Sequence, residues 1–418
     1  MAAIRLSRRF LAWSFWSDRQ LMKLNPAHAI FDGNMFVQLR SILEPIAPHP
    51  RLPMLDVSIG EPQMPPCQLL LDSVTKHNSA WQFYPKATGN ARFIGAVQHY
   101  IDRRWPTASQ LADDSQIIPV PGTREPLHLL GHLVAGTKPN SVALVTNPYY
   151  HAWRAGALAS RAEIQFLNSG ANHNFLPDIA AVDAEILART TLLYLCSPTN
   201  PHGSVMDLDY LKMALSLARQ HDFLVVMDDC YSDIWRFQPP PGMIEAAAAL
   251  AGDACGLDPL RNLVVLNSLS KRSGAAGLRA GFMVGDQSVI SQYLKIIGNG
   301  GSLVPTPLLE VAADLYDDDD HVAVIRSYYN ANFDIAAAHL RITPPEGGFF
   351  LWLKVDDDID FVQRLMAEQA VRALPGSFMA VTTDSGNPGS GYVRFALVHD
   401  AGRTDTVIRR IANIYQQP

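Results

Sequence analysis

Between about Asp56 and Asp286, short apolar runs alternate with longer stretches of helical period. SVALVTNP, TLLYLCSP, FLVVMDD, NLVVLNS and AGFMVGD are continuously apolar and rich in β-branched residues, the pattern of strands buried on both faces. Between the second and third of them, DLDYLKMALSLARQHD places Leu208, Leu211, Leu215 and Ala218 on one helical stripe and offers Asp207 as a cap. That is a crossover helix, and the alternation predicts an α/β domain on a mainly parallel sheet.

From about Pro305 the pattern changes. A helical stretch opens on the acidic run Asp317 to Asp320, followed by a strand in GGFFLWLKV, a helix, a strand in GYVRFALV and a final helix. Acids in a first helical turn are favoured by the helix dipole, so the run reads as a helix start and not as a metal site. The tail predicts a smaller α+β domain, formed by residues 24–55 with 305–418, beside a large domain of residues 56–304. Residues 1–23, basic and aromatic, read as a disordered extension, with translation starting at Met1 or at Met22.

The 418 residues are 48% apolar and 18% charged, the balance of a globular protein, and no apolar run of about eighteen residues is present to span a bilayer. A formal charge of −6, from mixed signs along the whole chain, leaves no basic face for nucleic acid. Cys67, Cys196, Cys230 and Cys255 form no CxxC pair, and the 13 histidines no HExxH. Neither a disulfide framework nor a zinc site is expected, and a reducing cytoplasm suits the chain. Small molecules are the expected partners.

The candidate chemistry falls just past the strand ends, where ligands bind in open α/β sheets. Gly122 and Thr123 precede a helix with Leu127, Leu130 and Val134 on its apolar face, so free amides there suit a phosphate. SPTNPHG leaves Asn200 in a turn after TLLYLC, and VVMDDCYSDI leaves Asp228 and Tyr231 at a strand end with Asp229 turned away. Behind NLVVL stand Ser268, Ser270, Lys271, Arg272 and Arg279. A buried Asp228 requires a cationic partner.

Pyridoxal phosphate uses all of these residue types at once. It needs a lysine for its aldehyde, an acid to keep its ring nitrogen protonated, donors to its ring oxygen, and a cationic, hydroxyl-rich cup for its phosphate. The candidates are Lys271, Asp228, the pair Asn200 and Tyr231, and the cup Gly122, Thr123, Ser268, Ser270 and Arg279. A ring cation about 4 Å from Asp228 gains on the order of 4 kcal/mol at an effective dielectric near 20, which shifts protonation by roughly three units.

The order YPxxxG, GT, NPYY, SPTNPxG, DDxY, SLSK, LRAGF and VRFAL resembles the fold-type I, class I/II aminotransferases from about Leu24 on. The resemblance implies a mainly parallel seven-stranded sheet flanked by helices, a homodimer with shared active sites, and ping-pong transfer of an amino group between an amino acid and a 2-oxo acid. It implies a catalytic set of Lys271, Asp228 and Tyr231. Tyr150 would stack on the cofactor ring, and Arg124 would join the cofactor site. Tyr84 would reach the phosphate of the neighbouring subunit. Arg394, with Asn200 and the backbone of Gly60, would take the substrate α-carboxylate.

GTREPL, DDCYSDI, SLSKRS and LPGSF followed by NPGSGYVRFALV are similar to the proteobacterial succinyldiaminopimelate transaminases of lysine biosynthesis. That resemblance implies N-succinyl-LL-2,6-diaminopimelate and 2-oxoglutarate as the substrate pair. Asn299 and Gly300 stand where that group carries an aromatic residue and a histidine, and Phe93 and Ile94 replace a Leu-Arg pair. An aminotransferase for another donor therefore stays open, as does a lyase of the same fold, which shares Lys271 and Asp228. A regulator of this fold carries a winged-helix domain in front, and the fewer than 60 residues before IGEPQ are too few for one. Arg272 has no cofactor role and is expected to point elsewhere, into the subunit interface.

Overall fold

The computed structural model describes Pro26, residues 34–254 and residues 256–415, and the elements below belong to the unit Met35–Pro418. The extension expected over residues 1–23 lies outside the described residues. The strands are β1 (Leu55–Asp56), β2 (Ile117–Val120), β3 (Val142–Asn147), β4 (Glu163–Asn168), β5 (Thr190–Cys196), β6 (Leu224–Asp228), β7 (Leu263–Ser268) and β8 (Gly281–Gly285). After them come β9 (Phe350–Lys354), β10 (Val371–Arg372), β11 (Leu374–Pro375) and β12 (Tyr392–Ala396).

Seven strands form one sheet in the order β2-β8-β7-β6-β5-β3-β4, in which β8 alone runs antiparallel to its neighbours. Successive residues of the central strands enter two different cores. Leu144, Leu193, Val225 and Val265 point to one, and Val145, Tyr194, Val226 and Leu266 to the other. Both faces are apolar, which is why these strands read as runs and not as an alternation. The two edge strands lie outside the five apolar runs. β2 carries Pro119, which an edge tolerates, and β4 mixes Glu163, Gln165 and Asn168 with apolar residues.

Helices Ala91–Arg104, Leu208–His221 and Thr306–Asp317 cover the first face, and Arg124–Leu133, His151–Ala159 and Gln287–Gly300 cover the second. In the crossover helix, Asp207 accepts from the Tyr210 amide at 2.7 Å. Leu211, Leu215 and Ala218 are buried as the stripe requires, but Leu208 in the open first turn is 36% exposed, and Ala214 is buried with the other three. Phe93 and Ile94 are core residues, Phe93 edge-on to Tyr316, so the two departures from the Leu-Arg pair fill the core.

A third core lies around the antiparallel sheet β11-β12-β9 and the parallel pair β1–β10, with helices Met35–Leu43, Asp358–Gln369 and Ala401–Tyr415. Helix Asp320–Leu340 spans two cores, giving Ile325 and Tyr329 to the second and Phe333, Ala336 and Leu340 to the third. Helix Thr306–Asp317 follows Pro305 but packs Leu309, Val311 and Leu315 beneath the large sheet.

Two expectations need correction here. The acidic run is a junction between helices and not one helix start: Asp317 ends one and Asp320 opens the next. Asp317 pairs with Arg92, Asp318 with His321, and Asp319 with Arg103 and Arg272, so the run is held by nearby basic groups. Arg272 turns into the large core of its own chain and not toward a surface. It is 1% exposed and donates to the carbonyl of Leu315 and to Asp319, both at 2.7 Å. Its Nε lies 3.2 Å from Asp233, and its guanidinium faces the rings of Tyr100 and Tyr316. Among the described residues there is no group of three or more side chains that could hold a metal, and no helix long and apolar enough to cross a membrane.

Candidate active site

The sheet changes its winding direction between β3 and β5, since β4 lies outside β3 on one side while β6 and β7 follow β5 on the other. Such a switch point leaves a crevice at the carboxyl ends of the strands. A cavity of about 340 Å³ is lined there by residues that follow β3, β5, β6 and β7.

β7 ends at Ser268, whose Oγ accepts from the Ser270 amide at 3.1 Å and starts the single turn Leu269–Arg272. This turn carries Lys271 to the cavity and Arg272 to the core. The Lys271 Nζ donates to the carbonyl of Gly60 at 2.5 Å and lies 5.3 Å from the centre of the Phe349 ring. Burial lowers its pKa to about 8.

Arg279 sits in the left-handed region, with φ 55°, and donates to the carbonyls of Pro121 at 2.7 Å and Ala276 at 3.1 Å and to Ser270 Oγ at 3.4 Å. Gly122, with φ +77°, stands against it: a Cβ there would lie 2.4 Å from Nη2 of Arg279. Only glycine leaves the guanidinium its place.

Thr123 and Arg124 open helix Arg124–Leu133, and Tyr150 and His151 open helix His151–Ala159 beside it. The helices touch where a Cβ on Gly131 would meet the carbonyl of Gly156 at 2.0 Å. This close approach brings both N-termini to the cavity, where Arg124 Nε donates to the Tyr150 hydroxyl at 3.3 Å.

β6 delivers Asp228. Its Oδ2 accepts from the indole Nε1 of Trp153 at 3.1 Å, and its buried Oδ1 has no partner of hydrogen-bond geometry. Burial raises the Asp228 pKa, against the opposing influence of the nearby Cys230 and Trp153 donors and the Lys271 charge. Asp229 faces the other way, toward Ser232 at 2.8 Å, and burial pushes its pKa to about 8. Tyr231 lies edge-on to Phe349 with ring centres 5.5 Å apart, and burial raises its phenol pKa.

From β12 comes Arg394, 5% exposed. It donates to Asn200 Oδ1 at 3.2 Å and to the carbonyl of Ser58 at 2.8 Å, and its guanidinium lies 4.4 Å above the Phe350 ring. These described partners are all neutral, and Nε has none. Burial lowers its pKa to about 10.

Gly60, Thr123, Arg124, Tyr150, Asn200, Asp228, Tyr231, Ser268, Ser270, Lys271, Arg279 and Arg394 all line this one cavity. Gly122 stands behind Arg279, and Tyr84 is outside, 98% exposed. Asn299 bonds the Lys295 carbonyl at the end of helix Gln287–Gly300, and neither it nor Gly300 is among the lining residues. Trp153, Cys230 and Phe350 line the cavity without having been expected there. Trp153 lies one helical turn beyond Tyr150, a spacing that puts both on one face; nothing in DDCYSDI marks the cysteine.

The model of the family described as aminotransferase class I and II matches residues 53–411. An LL-diaminopimelate aminotransferase of Dehalococcoides mccartyi is 26% identical over 377 residues, covering 87% of this chain and 92% of its own. The crystal structure of an aminotransferase from Neisseria meningitidis is 32% identical and superposes with a TM-score of 0.86, over 92% of this chain and 98% of that one. A probable N-succinyldiaminopimelate aminotransferase from Thermus thermophilus, 23% identical, shares the fold with a TM-score of 0.76 over 91% of this chain and 100% of that one. A match across so much of its length means that the chain belongs to the class I and II aminotransferases, enzymes that depend on pyridoxal 5′-phosphate.

Proposed function

We propose that this aminotransferase moves an amino group between N-succinyl-LL-2,6-diaminopimelate and 2-oxoglutarate, a step of lysine biosynthesis, in the cytoplasm. One observation carries the amino-acid end of the reading: Arg394 is a buried guanidinium whose described partners are all neutral, on the same cavity as Lys271. A carboxylate laid into its fork supplies the charge that burial leaves unmatched. The diaminopimelate skeleton is supported by the relative named for LL-diaminopimelate, and the succinyl group by the wording of the motifs from GTREPL to GYVRFALV.

The residues fit pyridoxal phosphate. Asp228 Oδ1 is a buried acceptor with no donor of hydrogen-bond geometry, Arg279 is a cation with neutral partners, and Gly122 keeps its place clear. When bound, the cofactor supplies an aldehyde that takes up the amino group and a ring that takes up the electrons released at Cα.

Arg279, Ser268, Ser270, Thr123 and Arg124, with the amides after Gly122, would hold the phosphate. Tyr150 would cover one face of the ring, and Asp228 would keep the proton on the ring nitrogen. Asn200 and Tyr231 would bond the ring oxygen. Lys271 would hold the aldehyde between turnovers. Released by the incoming donor, its free amine would take the proton from Cα and give it back at the cofactor carbon, base first and acid second. Tyr84, beside the exposed Trp81 and Phe83, would reach the phosphate of a second subunit in a homodimer with two shared sites.

Cofactor-loaded protein mixed with one donor at a time tests the reading, because the first half-reaction removes the visible band of the lysine-bound cofactor. Glutamate and N-succinyl-LL-2,6-diaminopimelate are expected to remove it fastest among a set that includes free LL-diaminopimelate, aromatic and aliphatic amino acids. Inertness of the succinylated donor alone discards the substrate and leaves the reaction, whereas inertness of every amino acid discards both. Sedimentation of the same sample is expected to give a dimer, and a monomer would remove the shared site.

A further inference from the structure

Asp233 lies two residues beyond Tyr231 on the turn after β6, with its side chain only 7% exposed. Its Oδ2 accepts from the Tyr100 hydroxyl at 2.9 Å and stands 3.2 Å from Nε of Arg272, while its Oδ1 stands 3.7 Å from Nε of Arg104. The other acid on Arg272 is Asp319, which is 55% exposed and shared with Arg103. Asp229 is buried on the same turn, but with a pKa near 8 it holds its proton at neutral pH. Asp318, His321, Tyr316 and Arg326 complete the titratable groups around the guanidinium. Asp233 is thus the buried carboxylate that faces Arg272, the chain neighbour of Lys271.

We propose that Asp233 is a positioning residue that acts on Lys271 through Arg272, keeping the guanidinium in the core and cancelling its charge beside the Lys271 amine. The two side chains leave one turn in opposite directions, which puts their ends on the order of 10 Å apart. At an effective dielectric near 20, an unanswered cation at that distance lowers the proton affinity of an ammonium by about one pH unit. On the cavity side the amine already meets Arg394, with Glu61, Asp228 and Cys230 opposing it. A second uncancelled cation would leave the amine a poorer base near neutral pH. The role rests on the pyridoxal phosphate reading of Lys271 and goes beyond it.

The test treats cofactor-free protein with acetic anhydride across a pH series and reads acetylation of Lys271 by mass spectrometry, so the midpoint belongs to that amine. Asp233→Asn keeps an oxygen for Tyr100 and drops the charge, and is expected to lower the midpoint by about one pH unit. The double variant Asp233→Asn with Arg272→Met removes both charges and is expected to restore it. Tyr100→Phe takes a hydrogen bond from the same carboxylate and no charge, so it is expected to melt earlier with its midpoint unmoved. An unmoved midpoint in Asp233→Asn, or an equal shift in Tyr100→Phe, overturns the proposal. Should Asp233→Asn not fold, recovery of folding in the double variant supports the pairing, and a double variant that stays unfolded overturns it. Cofactor-loaded wild type without a visible band overturns the underlying reading instead, while the midpoints still decide Asp233.

Discussion

Trp153 donates its indole N–H to Oδ2 of Asp228 at 3.1 Å, and both side chains lie inside the protein. An indole nitrogen is a donor only, so Oδ2 must accept, which favours Oδ1 as the place for any proton on the carboxyl. Were Asp228 to meet the cofactor ring as proposed, the oxygen left for it would be a single, identified atom, Oδ1. Trp153→Phe keeps an aromatic ring and removes the donor. A hydrogen bond to a charged group is worth about 1.5–3 kcal/mol, so kcat/KM is expected to fall roughly 10- to 100-fold. Steady-state kinetics checks this, and an unchanged kcat/KM would show that Oδ2 needs no donor.

Arg394→Lys preserves the charge and loses the planar fork. A lysine meets a carboxylate as a point charge, so about 2–3 kcal/mol of binding is expected to go, or roughly 100-fold in kcat/KM. The loss should appear for amino donor and oxo-acid acceptor alike, since both present an α-carboxylate, and cofactor affinity should hold. Substrate saturation curves beside a cofactor titration separate the two, and a matching drop in cofactor affinity would assign Arg394 to the cofactor.

Lys271 has a folded pKa of about 8 against 10.5 in water, because burial disfavours the ammonium. Below about pH 8 both folded and unfolded chains carry the proton, and the folded protein bears a penalty of about 3 kcal/mol for the buried charge. As pH rises from about 8 toward 10.5 the unfolded chain holds more protons, so stability rises and the penalty disappears. In cofactor-free protein, Lys271→Met is expected to melt above the wild type at about pH 7, with a gap that narrows toward about pH 10. Paired thermal melts across that range decide it, and a gap independent of pH would put the amine in water.

The five central strands were legible because each is buried on both faces, and the residues that line the cavity because they stand just past the ends of those strands. β2 and β4 were not, since an edge strand needs neither continuous apolarity nor freedom from proline. Leu208 followed the helical stripe in sequence but falls in a first turn that is only partly covered. Trp153 escaped for a different reason: it meets Asp228 from another helix, and side-chain direction there is set by tertiary packing. Arg272 was expected at a subunit interface because its acidic partner Asp319 lies 47 residues away in the chain.

Lys271 and Arg272 are neighbours that face opposite ways, and Arg272 is fastened to the Leu315 carbonyl, to Asp319 and between two tyrosine rings. The main chain at Lys271 is therefore a fixed post. The arm itself is held at its tip by the Gly60 carbonyl, and once released a four-carbon stem can swing the amine through an arc from one anchored point. In the proposed role, an amine that gives up the aldehyde, fetches a proton and comes back would gain from such a mounting, because each stage would begin from the same pivot.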